Sequence, residues 1–334
     1  MHVDFAMWRK ALQIIPRISK EEWDHLDVIS RWLISTRAAV LIMTFLSAAI
    51  AGILAFQAGQ FDFWLWLLVA IGLVMAHATN NLLNDYTDFV RGVDKDNYYR
   101  AQYGPQPLVH GLMNKRQLLT YAAVTGAMAL ACGLALVVLR GGLTLPLLGL
   151  GVLFVLFYTW PLKYIALGEL SVLVVWGPLM IGGGYYVITG QWEWNVVLAS
   201  LPYALGVTGV IFGKHIDKCD VDKAKGIHTL PVVIGEKPSR IVCIGMMIAQ
   251  YLLVIYLVLI GFFTPVMLIV LLALPTFVRR ILPLFLKPKP AEKPADFPDV
   301  WPNYFVAAGF YHNRQFGVLF LLGLILNALI VVFF

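Results

Sequence analysis

Charge is what this sequence has least of. Charged residues fill 13% of its 334 positions, hydrophobic ones fill 60%, and the mean hydropathy is +0.78. Soluble domains carry about 25% charged and about 45–50% apolar residues. The composition therefore excludes a water-soluble fold and a disordered chain alike. Cysteine is also scarce. Cys132, Cys219 and Cys243 show no metal-ligand spacing, which excludes a disulfide framework and a thiolate zinc site. The first 32 residues lack the short apolar core and small-residue cleavage site of a signal peptide. They carry Arg9, Lys10, Arg17, Lys20 and Arg31 among acids and aromatics, and residues 1–32 are expected to form a cytoplasmic leader along the membrane.

What the sequence does have is long apolar runs. About 20 residues of helix cross the hydrocarbon of a bilayer. Runs at 33–56, 62–83, 118–139, 143–160, 167–189, 195–213, 240–262, 264–284 and 315–334 qualify. They predict an all-α polytopic membrane protein with about nine transmembrane helices, in one domain over 33–334. Positive charge is missing from one side of this arrangement. Of the 25 Lys and Arg residues, only Arg140 falls in a loop after an odd-numbered span. The rest lie in or beside the leader and the loops 84–117, 161–166, 214–239 and 285–314. The positive-inside rule then places the N-terminus and these loops in the cytoplasm, and the C-terminus outside. The net charge of +6 reports topology and anionic headgroups, with no reason to invoke nucleic acid. The Pro-rich stretch 286–303 reads as a semi-rigid linker.

Polar residues are rare enough that their clusters carry information. The first runs from Asn80 to Asp94 at the end of the second span. Residues four apart share a helix face, so Asn81, Asn84, Asp85 and Asp88 are expected to form one stripe, with Asp94 following a glycine turn. Oxygen ligands in such numbers suit a hard cation such as Mg²⁺. The second cluster, Lys214 to Thr229, holds Lys214, His215, Asp217, Asp220 and Asp222 after the sixth span. Two acidic clusters at one depth would bind a metal-bridged diphosphate. On an ideal helix Asp217 and Asp220 lie about 60° apart, while Asp222 lies about 140° and about 160° from them. The helix is therefore expected to end near Asp220 and bend so that Asp222 turns inward. Between the fourth and fifth spans, Lys163 is the only charge in a tight turn and suits a point contact to phosphate. Arg37 has two readings, snorkelling to the surface or facing a cavity as an anion contact. The implied chemistry is ionisation of an allylic diphosphate, with Tyr158, Tyr185, Tyr186 and Trp176 as candidate aromatic faces for the cation.

These residues resemble a known family. Asn84 and Asp88 with Asp94, the second acidic cluster closing in Gly226 and Thr229, and the nine spans are together similar to the UbiA superfamily of intramembrane aromatic prenyltransferases. The stretches Gly168–Val172, Gly177–Leu179 and Gly184–Gly190 resemble its branch acting on 1,4-dihydroxy-2-naphthoate in menaquinone biosynthesis. Two departures stand out: Lys218 occupies the place of an acid in the second motif, and His215 replaces the asparagine usual in that branch. The resemblance implies helices around a central cavity open near the cytoplasmic face, in the inner (plasma) membrane. It implies Mg²⁺-dependent transfer from a polyprenyl diphosphate to an aromatic acceptor. Asn84, Asp88, Asp94, Asp217, Asp220 and Asp222 are the candidate metal ligands. Asp88, Asp85 and Lys163 are the candidate catalytic residues, and Arg37, Asn81, Lys163, Tyr158, Tyr185, Lys214 and His215 the candidate substrate contacts. Other acceptors stay open: 4-hydroxybenzoate, homogentisate or a glycerophosphate lipid. So does a transporter, which the near absence of charge inside the spans disfavours.

Overall fold

In the computed structural model, residues 3–94 and 104–334 are described. Three short helices come first: α1 (Phe5–Gln13), α2 (Lys20–His25) and α3 (Val28–Ser35). Asp27 binds them together. Its carboxylate caps α3 through the Ser30 amide at 2.9 Å and accepts Trp8 Nε1 at 3.1 Å and the Asp4 amide at 3.2 Å. Burial acts to raise the pKa of this carboxyl, but the hydrogen bonds from Ser30, Asp4 and Trp8 outweigh it and hold it well below the usual carboxylate range. The leader is thus a folded unit. Its Trp23, Leu26 and Ile34 pack with Leu82 and Leu118 of the following helices.

The first predicted span, 33–56, is broken at Arg37. That residue has a left-handed backbone, φ 57°, between α3 and α4 (Ala38–Gln57). Such a conformation is uncommon for a residue with a side chain. Next, α5 (Phe63–Val90) runs seven residues beyond the predicted span 62–83. Polar side chains lower hydropathy there without breaking the helix, which ends just before Gly92 at φ 69°. Then follow α6 (Lys115–Arg140), opened by an Asn114/Gln117 capping box, and α7 (Thr144–Phe157), apolar but only 14 residues long.

The remaining helices are α8 (Gly168–Thr189), α9 (Trp194–Asp217), α10 (Cys219–Ala224), α11 (Leu230–Ile234), α12 (Glu236–Leu259), α13 (Pro265–Leu286) and α14 (Tyr304–Phe333). In α8 the turns widen to π geometry over Val175–Gly182, around Pro178. Among the described residues eight helices are long and apolar enough to cross a membrane, and α7 is the shorter ninth apolar helix. The chain is a polytopic, all-helical membrane protein. The predicted loop 285–314 overshoots, because α14 begins at Tyr304, where the side chain of Asp217 receives its first amides.

The helices close into a ring. α5 packs on α4 and α6, α8 on α4 and α9, and α9 on α12 and α14. α14 returns to α4. One half of the ring is filled. There Tyr251, Phe277, His312, Phe316 and Phe320 stack ring on ring, and buried Gln250 is satisfied by the Pro202 carbonyl and His312. The other half, from α4 to α8, surrounds a space.

Candidate active site

That space is a cavity of about 890 Å³, lined by α4 to α9 and the start of α14. Its walls are mostly aliphatic: Leu119 and Leu130 from α6, Leu147, Gly151 and Val155 from α7, Val175 and Leu179 from α8. One end is polar, and α5 supplies most of it. His77, Asn80, Asn81, Asn84 and Asp88 all line the cavity, at the three- and four-residue spacings of one helix face. Each is held by a neighbour. His77 Nδ1 pairs with Thr44 Oγ1 at 2.7 Å, with its ring edge-on to Trp176. Asn80 donates to the Val155 carbonyl at 3.0 Å, Asn81 to the Thr36 carbonyl at 2.8 Å, and Asn84 to Thr159 Oγ1 at 3.1 Å.

Asp85 points elsewhere. It is buried and does not line the cavity; its carboxylate lies 3.3 Å from Arg37, which also donates to the Asn81 carbonyl at 3.0 Å. The pair anchors the left-handed corner at the start of α4. Arg37 also lines the cavity.

The turn after α7 brings Lys163 across to α5. Its ammonium donates to both oxygens of Asp88, at 2.9 and 3.1 Å. Burial alone would lower the pKa of this lysine. Asp88, and beyond it Asp222, outweigh burial and hold it above the ordinary value. Lys163 thus ties the turn after α7 to the acid of the first cluster. Tyr158 and Asp94 line the same end of the cavity.

The second cluster is divided. The last turns of α9 present Ile211, Lys214, His215 and Lys218 to the cavity at spacings of three, one and three. Asp217 falls on the opposite face. Its side chain is fully buried and accepts the amides of Phe305 and Val306 at 3.0 Å each, with Lys289 at 3.6 Å. It caps α14, and this geometry gives its oxygens to backbone amides instead of a metal. The helix breaks at Lys218, two residues earlier than expected. Asp220 is exposed on α10. Asp222 is buried and accepts Lys218 Nζ at 3.1 Å, but like Asp85 it does not line the cavity, so its carboxylate is turned to a lysine. Tyr185 is a correction too. It is buried in the filled half among apolar residues and does not line the cavity. Tyr186 lines no part of it and accepts the Leu143 amide at the far end.

Some site residues escaped the sequence reading. His77 and Asn80 continue the α5 stripe toward its N-terminus, and the same periodicity would have found them. Glu169, in the first turn of α8, lies 2.6 Å from His215 Nδ1. No spacing rule links residues 46 positions apart.

The donor set fits a hard cation. Asn84, Asp88 and Asp94 offer one amide and two carboxylate side chains to one cavity, with no thiol among its described lining residues. Among the described residues no three His, Cys, Asp or Glu side chains gather closely enough to hold a metal unaided. Mg²⁺ commonly takes one or two carboxylates and completes its shell with water and phosphate oxygens.

The fold and site define a class: a ring of membrane helices enclosing a largely apolar cavity whose polar lining is rich in asparagine, acid and lysine. The chain belongs to the UbiA prenyltransferase family, whose model matches residues 44–309. A Drosophila melanogaster UbiA prenyltransferase domain-containing protein 1 homolog is 27% identical over 233 residues, 68% of this chain and 62% of the relative. This chain thus spans less than two thirds of that protein's length. The 1,4-dihydroxy-2-naphthoate octaprenyltransferase of Escherichia coli K12 is 30% identical over 220 residues, 63% of this chain and 70% of the relative. Two solved structures share the fold. The UbiA homolog from Aeropyrum pernix K1 has a TM-score of 0.60 at 18% identity, covering 84% of this chain and 97% of that one. A homolog from Archaeoglobus fulgidus bound to GPP and Mg²⁺ has a TM-score of 0.52 at 16% identity, covering 87% and 99%.

Proposed function

We propose that this protein transfers a polyprenyl group from an allylic polyprenyl diphosphate to an aromatic acceptor, with Mg²⁺ as cofactor. The acceptor of this reading is 1,4-dihydroxy-2-naphthoate, and the reaction belongs to menaquinone biosynthesis. The observation that carries it is one cavity whose mostly aliphatic lining also includes Asn84, Asp88, Asp94, Lys163, Lys214 and Lys218. A long apolar tail with a charged head matches that polarity, and the Escherichia coli relative acts on the same acceptor by name.

In this reading Asn84, Asp88 and Asp94 hold the cation, with Asp222 near them. Mg²⁺ bound there would neutralise the diphosphate as it leaves. Arg37, Lys163, Lys214 and Lys218 supply point charges to the phosphate oxygens. Lys163 exchanges part of its contact with Asp88 for phosphate when substrate enters. Tyr158 and Trp176 shield the allylic cation and offer it their ring faces, and the aliphatic walls exclude water. The family match and the oxygen-only donor set support the reaction. The Lys and Arg asymmetry supports an N-terminus in the cytoplasm, and the inner (plasma) membrane is the residence this reading implies.

Mass spectrometry of products tests this. Purified protein in detergent receives one labelled polyprenyl diphosphate, Mg²⁺ and a mixed panel of aromatic acceptors. A labelled product on the dihydroxynaphthoate, lost on chelation, is expected. A product on 4-hydroxybenzoate or homogentisate alone would reassign the acceptor, and no prenylated aromatic at all would remove the proposal.

A further inference from the structure

Glu169 and His215 form a buried pair beside the cavity that no phosphate or metal contact requires. Glu169 is 1% exposed and His215 4%. Glu169 Oε1 lies 2.6 Å from His215 Nδ1, and Oε2 accepts the Leu230 amide at 3.4 Å. An acid buried among membrane helices is costly unless its oxygens are met, and marks a functional position by default. A carboxylate only accepts, so Nδ1 carries the hydrogen and donates. The tautomer with its hydrogen on Nδ1 has Nε2 as its acceptor nitrogen. His215 lines the cavity between Lys214 and Lys218, whose ammonium groups only donate. Nε2 is therefore an acceptor among donors. A phosphate oxygen has nothing to give it, whereas a hydroxyl does.

We propose that Glu169 is a positioning residue that fixes His215 so that Nε2 accepts a hydrogen bond from a ring hydroxyl of the aromatic acceptor. This rests on the prenyl-transfer reading above and assigns the part of the cavity where the acceptor is read. Removing Glu169 frees the ring to turn or to change tautomer, and the hydroxyl loses its partner. The prenyl diphosphate, held by the lysines and the α5 acids, does not.

The test varies both substrates in turn with purified protein, labelled polyprenyl diphosphate and 1,4-dihydroxy-2-naphthoate. Glu169→Ala and His215→Ala should each raise the acceptor KM about tenfold, the scale of one hydrogen bond, and leave the prenyl diphosphate KM within about twofold. Glu169→Gln keeps an oxygen facing Nδ1 and should recover most of the loss. A second readout needs no turnover. In ¹⁵N-histidine spectra, His215 should show a protonated Nδ1 and a bare Nε2 in the native protein, and a mixture in Glu169→Ala. If Glu169→Ala does not fold, His215→Ala and Glu169→Gln carry the test. A rise in the prenyl diphosphate KM alone, or in both constants together, would assign His215 to the diphosphate and overturn the proposal. So would a Gln variant as damaged as Ala, or a native His215 protonated on Nε2. A native protein that prenylates no hydroxylated aromatic, with the spectra unchanged, would instead remove the functional reading, and this proposal with it.

Discussion

The two acidic segments look alike in sequence and are used differently. From Asn80 to Asp88 the backbone stays helical, and four of the polar residues there face one cavity. From Lys214 to Asp222 the helix breaks at Lys218, and the acids disperse. Asp217 caps another helix, Asp220 meets solvent, and Asp222 pairs with a lysine. Acid count is thus a poor guide to ligand count. Helical phase decides which side chains meet, and phase is lost wherever the helix ends.

The comparison predicts unequal damage from equal mutations. Asp88→Ala should have the largest effect. It removes the carboxylate that both faces the cavity and holds Lys163, and turnover should fall on the order of 10²–10³-fold, the scale of losing one preorganised charge contact at the reaction centre. The protein should still insert and melt near the native temperature, since the cavity end is not packed core. Rates at saturating Mg²⁺ and a melting curve check this together. A variant with near-native turnover would break the comparison at its strongest point.

Asp217→Asn should do the reverse. An amide presents one oxygen to two backbone N–H groups and turns its own N–H toward the other. Stability should fall by about 1–3 kcal/mol, the cost of leaving a buried donor unmet, and more where Lys289 loses its partner charge. The Mg²⁺ dependence of the remaining activity should be unchanged. A shifted Mg²⁺ dependence with native stability would return Asp217 to the metal site.

Much of this architecture was legible beforehand. Hydropathy places every long span, and periodicity alone puts Asn81, Asn84 and Asp88 on one stripe, although it also put Asp85 there and the structure turns that side chain to Arg37. What was not legible depends on partners distant in sequence. The early start of α14 at Tyr304 depends on Asp217, 87 positions earlier. Tyr185 falls within a stretch that resembles the naphthoate branch, yet it is buried in the filled half of the ring. The Arg37 break leaves no trace in hydropathy, because both of its sides are apolar. A face-based reading of 211, 214, 215 and 218 would have favoured Lys218 over Asp217, had the eye not been fixed on acids.

Lys218 sharpens the comparison next. It sits where the family motif carries an acid, lines the cavity, and pairs with Asp222. Lys218→Ala should raise the KM for prenyl diphosphate several-fold to about tenfold, the worth of one charge-assisted contact, with a smaller change in kcat. Asp222, left buried without that ammonium, would also lose stability, so the melting curve should fall too. Kinetics at varied diphosphate separate the two effects. An unaltered KM would mean that Lys218 serves Asp222 alone.

Asp220→Asn should have the smallest effect, and it is the sharpest control. Asp220 lies between Asp217 and Asp222 in sequence and shares their chemistry, so a motif-based view gives it equal weight. Its side chain is exposed on α10, outside the cavity lining. Surface substitutions away from special features change stability by about 0.5 kcal/mol or less. Replacing the carboxylate with an amide of the same shape removes one exposed charge and nothing buried. Melting temperature, turnover and the Mg²⁺ concentration for half-maximal rate should therefore all match the native protein. The sensitive measurement is the last, because a ligand contributes to it even when maximal rate survives. A severalfold rise in the Mg²⁺ requirement would mean that α10 turns when substrate binds and carries Asp220 inward. The two segments would then be alike in use as well as in sequence.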